Sequence, residues 1–118
     1  MLNQFSRTEL LFGKKAMEKL ARSRVAVFGI GGVGGYAVEA LVRSGIGAID
    51  LIDNDKVSLT NLNRQIIATR KTIGQYKVDV MMERIKEINP DCQVKVYKCF
   101  YLPETKELFT FQEYDYII

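Results

Sequence analysis

The apolar run Arg24-Val25-Ala26-Val27-Phe28 breaks directly into Gly29-Ile30-Gly31-Gly32-Val33-Gly34, and a helical pattern follows at once. A short, continuous apolar run stopped by glycine is how a strand buried on both faces of a parallel sheet reads. The turn matches G-x-G-x-x-G at the strand-to-helix junction where that spacing has a mechanism. The first glycine permits a tight turn, the second lets a phosphate approach the backbone, and the third allows close contact between helix and strand. The unpaired N–H groups of the helix start then face an anion. Glycines that merely close a tight turn are the plainer reading, but four of them in this order at this junction favour a nucleotide, with Gly29, Gly31, Gly32 and Gly34 as the contact positions.

The rest of the chain repeats the strand–helix alternation. The stretch from about Ser6 to Arg22 reads as one or two amphipathic helices interrupted at Gly13, with Ala16, Met17, Leu20 and Ala21 as an apolar stripe. A helix is expected from Val33 to Arg43, ended by Gly45, then a strand from Ala48 to Ile52. A helix from Lys77 to Ile88 carries Val78, Met81, Met82, Ile85 and Ile88 inward and stops at Asn89-Pro90. A third strand spans Gln93 to Cys99, a short helix covers Glu104 to Thr110, and Asp115 to Ile118 begins a fourth, buried strand. This order predicts an α/β, Rossmann-like fold: a mainly parallel sheet with flanking helices and an N-terminal helical extension. The expected division is 1–23 for the extension and 24–118 for the nucleotide-binding domain. The chain ends inside an apolar strand, with its turn and any following helix unaccounted for, which predicts a piece of a longer protein.

Composition narrows the chemistry. The 118 residues contain no histidine, which removes a Ser-His-Asp hydrolase and the commonest metal ligand from this segment. Cys92 and Cys99 have neither disulfide-framework nor C-x-x-C spacing and read as reduced thiols, Cys99 in packing and Cys92 in a loop. No metal-ligand set is read within the chain. No stretch is apolar enough for a membrane span or a secretory signal, so the expected compartment is the cytoplasm.

Asp53 ends the second strand about twenty residues beyond the glycine turn, where a carboxylate accepts hydrogen bonds from ribose hydroxyls. Asp55 reads as a turn residue. To this point an NAD-dependent oxidoreductase and an ATP-using enzyme fit equally. The net charge is only +3, but Val57 to Val78 holds Arg64, Arg70, Lys71 and Lys77 with no acid. A dehydrogenase needs no such set, whereas a triphosphate carries about four negative charges that arginine, lysine and metal compensate. Arg64 brings a planar fork and Lys77 a mobile point charge; Asn61 and Gln65 complete the group.

Gly29-Ile30-Gly31-Gly32-Val33-Gly34, Leu51-Ile52-Asp53-Asn54-Asp55, Ser58-Leu59-Thr60-Asn61-Leu62-Asn63-Arg64-Gln65 and Gly74-Gln75-Tyr76-Lys77, in this order, resemble the adenylation domain of ubiquitin-activating-type enzymes. The resemblance runs from about Phe5 to the end. Phe5-Ser6-Arg7, Phe12-Gly13, Ala68-Thr69-Arg70 and Ile88-Asn89-Pro90-Asp91-Cys92 are most similar to the tRNA threonylcarbamoyladenosine dehydratase branch. The resemblance implies ATP and magnesium as cofactors and adenylation of a carboxylate. It implies that Gly31 and Gly32 approach the nucleotide, Asp53 holds the ribose, and Asn61, Arg64 and Lys77 bind the triphosphate and stabilise pyrophosphate departure. It makes Arg7 an arginine contributed across a homodimer to the partner's ATP, and puts a magnesium-binding aspartate just after the fourth strand, beyond Ile118. The acyl substrate is then threonylcarbamoyladenosine in tRNA or, in the sulfur-carrier branch, the C-terminus of a ubiquitin-like protein. Arg70, Lys71 and Lys14 would suit a tRNA backbone. Two readings of other classes stay open: an NAD-binding oxidoreductase, and a catalytically silent dimeric binding domain.

Overall fold

The structure is a computed structural model that describes residues 2–118. Four parallel strands make one sheet in the order β3-β2-β1-β4, with β1 Arg24–Phe28, β2 Ala48–Ile52, β3 Gln93–Tyr97 and β4 Tyr116–Ile117. The β1 and β2 registers pair Arg24 with Ala48 through to Phe28 with Ile52. Parallel pairing requires crossovers, and α3 (Gly32–Ser44) and α4 (Lys77–Ile88) supply the first two. Because β1 has β2 on one side and β4 on the other, the chain leaves it in both directions. A crevice opens at such a switch point, outside the carboxyl ends of the strands.

The core lies between the sheet and the two crossover helices. Val25, Val27, Ile49 and Leu51 of the central strands pack against Val38 and Val42 of α3 and Val78, Met81 and Ile85 of α4. Gly45 ends α3 at φ 106°, a left-handed position that suits glycine. The N-terminal α1 (Ser6–Phe12) and α2 (Lys14–Ala21) meet at Gly13 and dock on the opposite end of the sheet from the glycine turn. Gly47 N–H donates to the Leu20 carbonyl at 3.1 Å and Ala48 N–H to that of Ser23 at 3.1 Å.

Several expectations need correction. On α2 only Met17 and Leu20 turn inward; Ala16 and Ala21 are exposed, the narrow face being all that a two-turn helix needs to reach Gly45 and the core. Met82 is half-buried rather than a core residue, and Val80 packs on the core instead. No α-helix forms over Glu104 to Thr110. Two 3-10 turns, Lys106–Leu108 and Phe111–Glu113, stand there, separated by Phe109 and Thr110. Phe109 adopts an extended backbone (φ −116°, ψ 125°) and inserts its ring edge-on against Phe28 at 5.2 Å and Tyr97 at 5.0 Å, so aromatic packing overrides local propensity. β3 stops at Tyr97, short of Cys99. The fourth strand forms but is not buried: it is an edge with one neighbour, and Tyr116 is 66% exposed.

Asp50 is a charge in the middle of this sheet, 1% exposed on the central strand β2. Arg24 donates to both its carboxylate oxygens, Nε at 3.1 Å and Nη2 at 2.7 Å, and Tyr114 Oη donates at 2.6 Å. Burial and the adjacent carboxylate hold the Tyr114 phenol far above its usual range. Asp115 closes the cluster by accepting from Arg24 N–H at 2.8 Å, which ties the chain leading into β4 to the start of β1.

Candidate functional site

The glycine turn occupies the crevice at the carboxyl end of β1. Gly29 leaves the strand at φ 95° and donates to the Ile52 carbonyl at 2.8 Å, joining the turn to the end of β2. A Cβ on Gly34 would overlap the Gly29 carbonyl oxygen, so no side chain fits where the helix folds back over the turn. Gly31 is the N-cap of α3 and offers no capping side chain. Among the described residues, the N–H groups of Gly31, Gly32, Val33 and Gly34 donate to no protein acceptor. Side chains normally satisfy some of these donors; four left together at the positive end of a 13-residue helix form a seat for an anion.

Asp53 shapes that seat. It is 4% exposed, and its Oδ2 accepts from Ile30 N–H at 2.7 Å while Oδ1 accepts from Asp55 N–H at 2.8 Å. The carboxylate therefore clamps the turn to the β2 exit and keeps spare lone pairs. From Asp55 the connection continues to α4. The Asp55 carbonyl accepts from Lys77 N–H at 3.0 Å, and its carboxylate lies 4.0 Å from Lys77 Nζ. Lys77, only 6% exposed, is thus a buried cation held at the first turn of α4 by one carboxylate at long range.

A 3-10 turn, Leu59–Asn63, brings up the opposite wall; its tight winding carries Arg64 and Gln65 back to the glycines. Asn61 starts this turn rather than reaching outward: its Oδ1 accepts from Ser58 N–H at 2.9 Å in a reciprocal capping box. The Ser58-x-x-Asn61 spacing carries that signal in the sequence. Arg64 stands exposed with its Cγ 3.9 Å from where a Cβ of Gly32 would lie, and Nη1 donates to the Thr60 carbonyl at 3.2 Å and Asn63 Oδ1 at 3.0 Å. Gln65 Nε2 lies 3.6 Å from the corresponding position on Gly31. Its Oε1 is the one buried side-chain polar atom among the described residues without a partner. An unpaired buried amide costs about 1–3 kcal/mol, which an incoming donor would recover.

The structure therefore gathers Gly29, Gly31, Gly32, Gly34, Asp53, Arg64 and Gln65 around one crevice, with Lys77 joined to it through Asp55. Arg7 is not among them. It is exposed on α1, and neighbouring Phe5 packs its ring 3.6 Å from the Cβ position of Gly45, which ends α3 just before β2. A five-residue strand spans about 16 Å, so Arg7 is a sheet length away from the turn of its own chain. Lys14 borders a hollow with Met17 and Gly45 at that same remote end, apart from Arg70 and Lys71. A surface hollow of about 530 Å³ between Gln4, Arg43, Arg84, Glu87 and Ile88 contains no residue of the turn.

No group of three His, Cys, Asp or Glu side chains that could hold a metal ion by themselves forms among the described residues. Neither thiol is activated: burial pushes Cys92 up to about 11 and raises Cys99 as well. Cys92 lies at a bend between α4 and β3, as expected of a loop residue, with its side chain packed against the main core. No helix among the described residues is long and apolar enough to cross a membrane.

Comparison with known proteins gives this crevice its context. Residues 5–118 match the ThiF family. Over 118 residues the chain is 54% identical to the tRNA threonylcarbamoyladenosine dehydratase of Bacillus subtilis (strain 168), covering 100% of itself and 46% of that protein. The crystal structure of the E. coli tRNA N6-threonylcarbamoyladenosine dehydratase in complex with ATP is similar at a TM-score of 0.93 and 47% identity, over 97% of this chain and 47% of that one. An adenylyltransferase and sulfurtransferase of Aspergillus clavatus is 35% identical over 90% of this chain and 21% of its own length. The chain spans less than half the length of these relatives.

Proposed function

This chain belongs to the ThiF family, and from that premise we propose that it forms the nucleotide-binding part of an ATP-dependent enzyme that adenylates a carboxylate. The acyl group is that of threonylcarbamoyladenosine in tRNA; once adenylated it closes into a ring with AMP as the leaving group, a net dehydration driven by ATP. The observation that carries the reading is the uncapped start of α3, its four N–H groups unused, with Arg64 and the Nε2 donor of Gln65 beside them. A dinucleotide would use the same turn but has no need of Arg64, Gln65 and buried Lys77 together.

In this reading the loop N–H groups hold phosphate oxygens, and Asp53 receives ribose hydroxyls on its spare lone pairs. An acyl carboxylate oxygen bonds to the α-phosphorus as the bond to the pyrophosphate oxygen breaks. Arg64 and Lys77, with Gln65 Nε2 as a neutral donor and Asn61 holding the turn that presents Arg64, stabilise the charge that builds on the departing pyrophosphate. The protein contributes position and electrostatics, as suits a segment without histidine. Magnesium enters only as the counter-ion of ATP, with no step assigned to it. Arg7 acts on the ATP of a second copy in a homodimer, since its own turn is a sheet length away. The compartment is the cytoplasm.

The test is ATP–pyrophosphate exchange by the intact protein, with tRNA bearing threonylcarbamoyladenosine as the acyl source. Exchange is expected, and Arg64→Ala should lower it about a hundredfold, the scale of losing one transition-state donor. Exchange that ignores the tRNA but responds to a ubiquitin-like C-terminus would transfer the assignment to a sulfur-carrier adenylyltransferase. Tight NAD binding with no ATP binding, measured by titration calorimetry, would return the protein to the oxidoreductases. No exchange with any carboxylate would make it a silent binding domain.

A further inference from the structure

The turn between β2 and α4 folds back on itself beside the site. Val57 N–H donates to the Gln75 carbonyl and Gly74 N–H to the Val57 carbonyl, both at 2.8 Å, and Lys56 and Tyr76 form an antiparallel bridge. This brings Lys56 Nζ to 5.0 Å from the centre of the Tyr76 ring. Lys98, arriving from the end of β3, puts its Nζ 4.7 Å from the same ring. Two ammonium groups from separate elements thus meet at one aromatic side chain. The ring quadrupole attracts both; Lys98 also pairs with Asp79 at 3.0 Å, whereas Lys56 has no ion pair among the described residues.

The same folded-back segment carries Arg70 and Lys71, both exposed, and Gln75 Nε2 donates to the Lys71 carbonyl at 3.1 Å. From Lys56 to Val78 there is no acid. Tyr76 directly precedes Lys77, which is tied to the crevice through Asp55. We infer that Lys56, Lys98, Arg70 and Lys71 form a docking rim for the sugar–phosphate backbone of an RNA, holding its acyl-bearing nucleoside at the crevice mouth. The inference rests on the tRNA reading above and names its partner surface. Lysines whose ammonium groups are already held over an aromatic ring lose less freedom on meeting a phosphate than free ones do, and a compact ammonium is a standard phosphate donor. Lys14 takes no part, being at the other end of the sheet.

The experiment measures tRNA binding by the intact protein across a salt series, in three forms: wild type, Lys56→Ala/Lys98→Ala and Lys56→Arg/Lys98→Arg. Each lost phosphate contact on a flexible strand reduces the slope of log K against log salt by about 0.7. The alanine pair should therefore flatten the slope by about 1.4, which makes the affinity lost between about 50 and 200 mM salt roughly sevenfold smaller. ATP affinity and melting temperature serve as the check on folding and should hold, and the arginine pair should restore the wild-type slope. An alanine pair that binds tRNA with wild-type affinity and slope overturns the rim while leaving the tRNA reading intact. So does an arginine pair as impaired as the alanine one. A wild-type protein that binds no tRNA, or binds an acidic carrier protein through these lysines instead, removes the tRNA reading and the rim with it.

Discussion

Helix α3 begins and ends in glycine, yet its two ends do opposite things. At the start, Gly31 to Gly34 leave every N–H open, and Gln65, whose Oε1 is buried without a partner, sets its Nε2 beside Gly31. At the finish, Gly45 N–H reaches the Leu41 and Val42 carbonyls, Ile46 N–H reaches Leu41, and Gly47 N–H reaches Leu20. A Cβ on Gly47 would overlap the Ala21 carbonyl oxygen, just as one on Gly34 would overlap that of Gly29. The same residue type thus serves an unfinished hydrogen-bond inventory at one end and a completed one at the other. Absence of a side chain is no guide to function by itself; what the freed backbone then bonds to decides the matter.

The strongest way to break this contrast is Gly34→Ala, which forces the turn and α3 apart. It is expected to cost about 3 kcal/mol, seen in chemical denaturation, and to abolish ATP binding by the protein that remains folded. Gly47→Ala should cost about 2 kcal/mol by the same overlap but leave ATP affinity, measured by calorimetry, as it was. Loss of binding in that variant would show that the remote end is not merely structural. Gly31→Ala sharpens the distinction from the other side. Its new methyl would meet Gln65 Nε2 at 3.6 Å, ordinary contact, so the melting temperature should hold while ATP affinity falls about tenfold, roughly the 1.4 kcal/mol that a phosphate held slightly off its donors would lose.

The smallest effect belongs to the helix between the two turns. Glu39 of α3 accepts from Arg84 of α4 at 2.7 Å and from Arg43 at 2.7 Å, and these guanidinium groups, Arg84 foremost, hold its carboxyl below the ordinary 4.5. A carboxylate whose value is depressed on folding adds stability that is fully present above its unfolded value and is lost as the pH falls through its folded one. Thermal melts between neutral pH and about pH 3 should therefore show a decline below 4.5 that Glu39→Gln reduces.

Periodicity made much of this fold legible. The limits of β1, β2 and α4 follow from apolar runs and from Gly29, Pro90 and Asp53 as punctuation, because buried parallel strands and amphipathic helices leave local patterns. Where long-range packing set the backbone, sequence was a poor guide. Glu104 to Thr110 looks helical only until Phe109 is seen to be needed by Phe28 and Tyr97. At the site, residue types were readable and bonding was not. The motif marks Asp53, but not that its carboxylate already clamps Ile30; it marks Gln65, but not that Oε1 is buried unpaired. Those are facts about which atoms face one another, and spacing along a chain does not encode them.

The buried Asp50 has a practical bearing on anyone dividing this protein into pieces. Its carboxylate draws on donors from β1 and from Tyr114, the residue nearly at the far end of the fold. A version trimmed before Tyr114 would keep all of the glycine turn and still strand part of an ion in the middle of the sheet. Without Tyr114, Asp50 would keep only the Arg24 guanidinium, so the sheet beneath the glycine turn depends on a residue well outside it.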